Sequence, residues 1–398
     1  MFPQNGDNDG LHAEKRKRRP ASRDYVPGSP PVSRTRLSLP PASHRRTLFS
    51  GRSVRLRPAF GDIVRRYLPM RIGVLCSGGD APGMNACIRG IVRAANEKQD
   101  EVIGICHGYQ GLLDEDFYVD QYGSPFMDRG SVSGLARVGG TILHSSRCPR
   151  FQTEEGLKDA SNVLRKRKID ALLPIGGNGT LSGAIELQNF WTGRIVGLPG
   201  TIDNDLLGTD LTIGFSTAVQ TAVDAVDKLY DTAGSHDLMF IVEVMGRHCG
   251  DVAMFTALAS GAEIVSTAEI AKPIPEMVEH LKKIKALGKK SVMMIVSEGD
   301  SHGGAYLLQE KLKEADNPYD SRVVVLGHIL RGGSPCPIDR MLAAELGVFA
   351  VRSLHEGANG VMAGRIREEP ALTPLPECII DHRRVTEKMK QLLKVVAS

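Results

Sequence analysis

The sequence predicts an α/β protein whose sheets are mainly parallel. Short apolar runs alternate along the chain with segments of helical periodicity, an order that is typical of parallel sheets. Each apolar run is followed within three residues by a glycine and a polar or charged residue, and ligands of such sheets bind at the carboxyl ends of the strands. The composition agrees, because 43 glycines with only 5% aromatic residues suit an enzyme built on glycine loops.

Six apolar runs are predicted to be buried strands, and helical segments follow them. The first helix has Met84, Ile88 and Ile91 on one face. The helix after the third strand should begin at Thr217, because Gln220 three residues later completes a capping-box pattern. The predicted strands are Ile72–Cys76, Ile169–Ile175, Arg194–Leu198, Phe240–Val244, Ser291–Val296 and Val323–Leu326.

Residues 1–69 differ in composition from the rest of the chain. Of the 50 basic and 46 acidic residues, 15 and 5 lie in this segment, which leaves 35 and 41 for the remainder. The segment is rich in Pro, Ser and Arg and has too few apolar residues to offset its ordering entropy. It could be a targeting peptide, a nucleic-acid-binding arm or sequence upstream of the true start. We expect a disordered extension, and we do not expect nucleic acid as a partner of the mildly acidic remainder.

The seven cysteines form no CxxC pair and no zinc-site spacing with histidine. An odd number of cysteines without a pattern favours reduced thiols in a cytoplasmic protein. No run of about 18 apolar residues occurs, so we expect no membrane span.

The stretch Pro199–Asp205 follows a predicted strand and carries two carboxylates and a hydroxyl. Asp203, Asp205 and Thr201 would therefore lie at the carboxyl edge of a sheet, where ligands bind. The same residues could instead form a polar turn, since Asp and Asn are common turn residues.

Two glycine loops, Ser77–Gly83 and Gly176–Thr180, each join a strand to a helix. Free amides and the positive end of the helix dipole make such a junction a cradle for phosphate. Neither loop is a Walker A sequence. No strand is followed by the GxGxxG pattern with a downstream acidic residue that a dinucleotide-binding oxidoreductase would need.

Together these loops resemble the glycolytic 6-phosphofructokinases of the bacterial ATP-dependent type. The resemblance implies two Rossmann-like lobes with the active site in the cleft between them, in a cytoplasmic homotetramer. Residues 70–214 with about 330–380 would form the ATP lobe, and 215–329 with about 381–398 the sugar-phosphate lobe. The motifs that carry it are Gly78–Asn85, Gly176–Thr180, Pro199–Asp205, Met245–Arg247 and Gly327–Ser334.

By this resemblance the chain transfers the γ-phosphoryl group of ATP to the 1-hydroxyl of fructose 6-phosphate. Asp203 corresponds to the general base, with Thr201 and Arg147 beside the transferring group. Arginine suits phosphate because its planar fork donates two parallel hydrogen bonds. The implied substrate residues are Thr201, Ile202, Asp203, Met245, Gly246, Arg247, Glu298, Arg322, His328, Ile329, Leu330 and Arg331. The implied ATP residues are Gly79, Arg147, Cys148, Gly177, Asn178, Gly179 and Thr180.

The phosphoryl donor is expected to be ATP, with Mg²⁺ as the cofactor. In this family a glycine at position 179 leaves room for the nucleotide, whereas pyrophosphate-dependent relatives carry Asp there and usually Lys at position 200. This chain has Gly179 and Gly200. A pyrophosphate-dependent enzyme, and a weakly active or regulatory homologue, stay open as alternatives.

The chain departs from the family pattern at three places. Asn178 stands where a magnesium-side aspartate is usual, so the metal should be held less tightly. Leu238 stands where a neighbouring subunit contributes an arginine, which puts cooperativity in question. The effector site is only partly kept: Arg89, Arg93, Arg129, Glu263 and Lys289 match, while Tyr230, Leu287 and Gly130 do not.

Overall fold

The computed structural model describes residues 68–379 and 385–396. Nearly all of the predicted disordered extension, residues 1–67, therefore lies outside the described residues. Among the described residues no helix is both long and apolar enough to cross a membrane.

A seven-stranded sheet forms the first lobe, in the order β11-β10-β4-β3-β1-β2 with the short β5 paired to β4. All of its pairs are parallel except β10 with β11. The strands are β1 Arg71–Cys76, β2 Glu101–Ile105, β3 Ala171–Gly176, β4 Arg194–Thr201, β5 Ile213–Gly214, β10 Val361–Ile366 and β11 Glu369–Pro374.

A four-stranded sheet forms the second lobe, in the order β7-β8-β6-β9, and all of its strands are parallel. Its strands are β6 Met239–Val244, β7 Ile264–Ser266, β8 Val292–Ser297 and β9 Ser321–Val325. Two mainly parallel sheets connected through helices confirm the predicted α/β class. The exact boundaries of the two lobes stay a prediction.

Helices connect the strands of both sheets. They are α1 Met84–Glu97, α2 Gly108–Leu113, α3 Glu154–Lys166, α4 Asn178–Leu187, α5 Phe215–His236, α6 Asp251–Ser260, α7 Ile274–Ala286, α8 Ala305–Glu314, α9 Pro337–His355, α10 Leu375–Ile379 and α11 Glu387–Val396. Helices α1 and α9 approach closely because each has a glycine at the contact: a β-carbon at Gly90 would lie 2.8 Å from the Ala344 carbonyl oxygen, and one at Gly347 would lie 2.7 Å from that of Cys87.

The register of the central strands brings three loops to one edge. β3 lies between β1 and β4, and Cys76 pairs with Ile175 while Gly176 pairs with Pro199. The three strands are parallel and end at nearly the same level, so the loops that follow them meet. Burial of nearly all their residues makes this edge rigid.

The β10–β11 hairpin differs from the prediction, which includes no strand in residues 330–380. Arg367 and Glu368 form its turn with φ of 52° and 70°. Two consecutive positive φ values match the twist of a hairpin, and Gly or Asn usually supplies them. An Arg-Glu pair carries no such signal.

The start of α5 also differs from the prediction, because the capping box at Thr217 is wrong. The helix begins at Phe215, and Gln220 bonds Asp224 within the helix. The buried carboxylate of Asp339, in α9, caps it instead. It accepts hydrogen bonds from the Gly214 amide (3.0 Å), the Thr217 amide (2.7 Å) and the Thr217 hydroxyl (2.5 Å).

We predict that Asp339→Ala lowers the free energy of unfolding by about 3 kcal/mol, because it leaves buried amides of α5 without an acceptor. Denaturant unfolding monitored by circular dichroism measures this change. Asp224→Ala on the exposed face of α5 is the control and should change stability by less than about 0.5 kcal/mol. Equal effects of the two substitutions would show that the Asp339 cap does not stabilise the fold.

Candidate active site

A cavity of about 880 Å³ opens where the loops after β1, β3 and β4 meet. Residues of all three predicted glycine and acidic loops line it. The predicted site residues among its lining are Gly79, Arg147, Cys148, Gly177, Asn178, Gly179, Thr180, Thr201, Ile202, Asp203 and Arg331.

The loop after β4 presents the acidic residues. Asp203 is half-buried, and its backbone amide donates to the Thr201 hydroxyl at 3.2 Å. The Ile202 side chain is buried in the core, so any contact with a ligand would come from its backbone. Asp205 is buried and accepts a hydrogen bond from the Asn178 amide nitrogen at 2.5 Å.

The environment of Asp203 raises its pKa to about 6, chiefly because burial penalises the charged carboxylate. The negative charge of Asp205 raises this pKa further, and that of Glu298 adds to it; Arg331 and Arg247 oppose the rise. A carboxyl group with a pKa near 6 is suited to accept a proton at neutral pH.

The predicted phosphate cradle lies at the start of α4. Gly177 precedes the helix, and the Thr180 hydroxyl donates to the Ser77 carbonyl at 2.8 Å, which joins this loop to the one after β1. A β-carbon at Gly179 would meet nothing within 4 Å. A β-carbon at Gly79 would lie 2.5 Å from the Arg331 guanidinium, so this arginine reaches across the first loop.

The loop that carries Arg147 and Cys148 forms another wall of the cavity. The preceding Ser145 hydroxyl donates to the Gly78 carbonyl and the Ser146 hydroxyl to the His107 carbonyl, both at 2.7 Å. Arg147 is exposed at the cavity wall. Tyr109 and Phe151, whose rings stack at 3.8 Å, also line the cavity.

Of the implied substrate residues, Thr201, Ile202, Asp203 and Arg331 line the cavity, and the others lie outside its lining. Arg247 and Glu298 are exposed and near enough to Asp203 to influence its pKa. Met245 is buried, and Gly246 has a φ of 136° that favours glycine. His328, Ile329 and Leu330 belong to the 3₁₀ helix Gly327–Arg331.

Two of the implied substrate residues have side chains that do not line the cavity. The Leu330 side chain is fully buried in the core. Arg322 lies on the edge strand β9, exposed, where it pairs with Asp320 at 2.6 Å. Its neighbour across the sheet is Phe240, which follows Leu238 by two residues in the chain.

Sequence reasoning missed several residues that line the cavity. Ser182, Gly183 and Glu186 of α4 lie there together with Gly179. Their spacing of three, four and seven residues from Gly179 is the helical period of one face, so this signal was present in the sequence. Tyr109 and Gln152 had no such signal.

Three of the positions compared with the family's effector site make contacts within the chain. Glu263 is buried and pairs with Lys289 at 2.5 Å, while the Tyr230 hydroxyl donates to the Gly261 carbonyl at 3.1 Å. All seven cysteines are free thiols. No group of three or more acidic, histidine or cysteine side chains among the described residues could hold a metal ion by itself.

Comparison with known proteins assigns the family. The sequence profile described as "Phosphofructokinase" matches residues 71–354. A protein of Thermus thermophilus named "ATP-dependent 6-phosphofructokinase 1" is 45% identical over 327 residues, which cover 82% of this chain and 99% of that protein. The "ATP-dependent 6-phosphofructokinase" of Clostridioides difficile is 47% identical over 293 residues, 74% of this chain and 88% of that protein.

Solved structures agree on the fold. Phosphofructokinase from Saccharomyces cerevisiae superposes with a TM-score of 0.71 at 32% identity over 82% of this chain, which spans about half (46%) of the yeast chain. A pyrophosphate-dependent phosphofructokinase from Marinobacter aquaeolei shares the fold with a TM-score of 0.70 at 20% identity, over 83% of this chain and 92% of that one. The cavity at the three loop ends and these matches lead to one assignment: the chain belongs to the phosphofructokinase family.

Proposed function

We propose that the chain is an ATP-dependent 6-phosphofructokinase, which converts fructose 6-phosphate and ATP into fructose 1,6-bisphosphate and ADP. The observation that carries the proposal is a carboxylate of raised pKa, Asp203, at the mouth of a phosphate cradle. The curated relatives of 45–47% identity carry the same name for this activity.

In this proposal Asp203 removes the proton of the 1-hydroxyl as that oxygen attacks the γ-phosphorus. Phosphoryl transfer needs mainly positioning and charge neutralisation. The Thr201 hydroxyl lies beside Asp203, and the guanidinium groups of Arg147 and Arg331 neutralise the charge on the transferring phosphoryl oxygens. The amides at the start of α4 hold the other phosphates of the donor.

The sugar phosphate would bind on the second-lobe side of Asp203. Arg247 and Arg331 supply positive charge there, the His328 imidazole donates a hydrogen bond to the phosphate, and Glu298 accepts from sugar hydroxyls. Met245 and Gly246 shape the wall behind the ring, where only glycine adopts the required backbone conformation without strain.

The side chains near the cradle could bind Mg²⁺ together with the phosphates of ATP. Mg²⁺ is usually held by one or two carboxylates together with substrate phosphates rather than by a cage of protein ligands. Asp205 and the Asn178 side-chain oxygen would hold it, and Asp203 adds negative charge nearby. When bound, the ion neutralises phosphate charge in the transition state.

Two glycines support ATP rather than pyrophosphate as the donor. Position 179 faces open space in the cavity, so the nucleoside end of ATP has room. A β-carbon at Gly200 would lie 2.8 Å from Ile175 and 3.0 Å from the end of Met84, which leaves no space for a lysine.

We further propose a homotetramer in the cytoplasm. Seven free thiols suit a reducing compartment. Leu238 occupies the position where a neighbouring subunit of the bacterial enzyme contributes an arginine, and Arg322 lies exposed on the edge strand β9, paired with Phe240. In this proposal Arg322 contacts the sugar phosphate bound to a neighbouring subunit. Sedimentation velocity, which measures the mass of the assembly, tests whether the chain is a tetramer.

We predict turnover of fructose 6-phosphate with ATP and none with pyrophosphate, measured by coupling fructose 1,6-bisphosphate formation to NADH oxidation. Asp203→Asn keeps the shape of the side chain and removes the base, so kcat should fall by about 10²- to 10⁴-fold. Turnover with pyrophosphate alone would identify the alternative donor. Absence of turnover with either donor would favour a regulatory homologue.

We predict that kcat/KM for fructose 6-phosphate falls as the pH drops below about 6, because protonated Asp203 cannot accept the hydroxyl proton. The base is ionised above this pKa, so activity is full at higher pH and is lost on acidification. Arg247→Gln removes a positive charge that lowers the pKa of Asp203. The pH at which half of the activity is lost should therefore be higher in this variant. If the pH of half-maximal activity is the same in Arg247→Gln, a group other than Asp203 causes the loss of activity.

We predict that Asn178→Asp lowers the Mg²⁺ concentration needed for half-maximal activity. The substitution replaces the amide that bonds Asp205 by a second carboxylate, which attracts the cation. Asn178→Ala is the control: it removes the amide without adding charge and should not lower the requirement. Mn²⁺ binding in the presence of ATP, measured by electron paramagnetic resonance, should tighten in the first variant only. An unchanged requirement would place Asn178 away from the metal.

A further inference from the structure

Asn204 lies between two residues that line the cavity, Asp203 and Asp205, yet its own side chain points into the protein. It is fully buried, and its φ of 54° lies in the left-handed region. Asn tolerates this conformation better than most residues. A buried amide in such a position needs a partner for both of its ends.

Both ends of the Asn204 amide are bonded. Its oxygen accepts a hydrogen bond from the Thr212 backbone amide at 3.0 Å, and its nitrogen donates to the Asp251 carboxylate at 2.8 Å. The partners determine which way the amide faces, because a backbone N–H needs an oxygen and a carboxylate needs a donor.

The first bond closes the loop that presents the base. Thr212 also donates from its hydroxyl to the Thr201 carbonyl at 2.6 Å. Immediately after it, β5 pairs with the end of β4, Ile213 with Gly200 and Gly214 with Thr201. Asn204 therefore braces the loop from 201 to 212 from the inside, one residue from Asp203.

The second bond joins the loop to the other lobe. Asp251 is the first residue of α6 and is buried. The segment between β6 and α6 contains Arg247, whose positive charge lowers the pKa of Asp203. One amide thus connects the base loop of the first lobe to the segment of the second lobe that faces the sugar.

We propose that Asn204 is a positioning residue, which sets the orientation of the Asp203 carboxylate relative to the sugar-binding segment through its paired bonds to Thr212 and Asp251. This inference rests on the proposed function. Misplacement of a reacting group by about 1 Å costs on the order of 10²-fold in rate, so the loss of this brace should appear in kcat.

The test exchanges the two side chains. Asn204→Asp sets two carboxylates against each other and should lower kcat about 10- to 100-fold. Asp251→Asn in the same chain restores a donor–acceptor pair in reverse, and kcat should return to within about threefold of the unsubstituted protein. Asn204→Gly keeps the backbone conformation and removes both hydrogen bonds, so kcat should fall. Adding Asp251→Asn to this variant should not restore kcat, because glycine offers no partner.

Readouts and a control separate positioning from general stability. The KM for ATP should change little, because the cradle at α4 is untouched. Thermal midpoints report any loss of fold. Asn359→Asp is the matched control: Asn359 accepts from the Ile195 amide at the opposite end of β4, and the same chemical change there should leave kcat unaltered.

Each result decides the matter. Unaltered kcat in both Asn204→Asp and Asn204→Gly would overturn the positioning role while leaving the proposed function intact. A loss in Asn204→Asp that Asp251→Asn does not reduce would overturn the pairing of the two lobes through this amide. Absence of turnover in the unsubstituted protein would overturn the proposed function and this inference together.

Discussion

The candidate active site depends on one interaction: the partly buried carboxylate of Asp203 is held beside that of Asp205 at the edge of a packed sheet. Burial and the charge of Asp205 raise the pKa of Asp203 more than Arg331 and Arg247 lower it. Such a balance is possible only on a rigid support, because a flexible loop would turn the carboxylate toward water. The nearly fully buried strands β1, β3 and β4 provide this support.

Polar side chains from distant segments hold the loop from 201 to 212 on that support. Asp339 of α9 caps the helix that follows the loop, and Asn204 links the loop to Asp251 in the second lobe. These contacts are buried, so breaking one would leave a polar group without a partner and away from water. They explain how a loop of irregular conformation can place one oxygen atom accurately.

Most of the first-lobe site could be predicted from the sequence, because its members are consecutive in loops that follow parallel strands. Gly79, Asn178, Thr201 and Asp203 reach one cavity for this reason alone. The residues that the resemblance assigns to the sugar phosphate were less accessible to such reasoning. Arg322 matches a family position, yet whether it faces its own cavity depends on where the edge strand β9 lies.

The sequence by itself determined the α/β class, the positions of six strands to within three residues, and which loops carry the glycine and acidic residues, since periodicity and turn composition are local properties. The tertiary structure alone decided what caps α5, the β10–β11 hairpin and the pairing of Asn204 with Asp251. The cap of α5 joins residues as far as 125 positions apart. No local pattern encodes such contacts, because they arise only when the packed helices and sheets bring those side chains together.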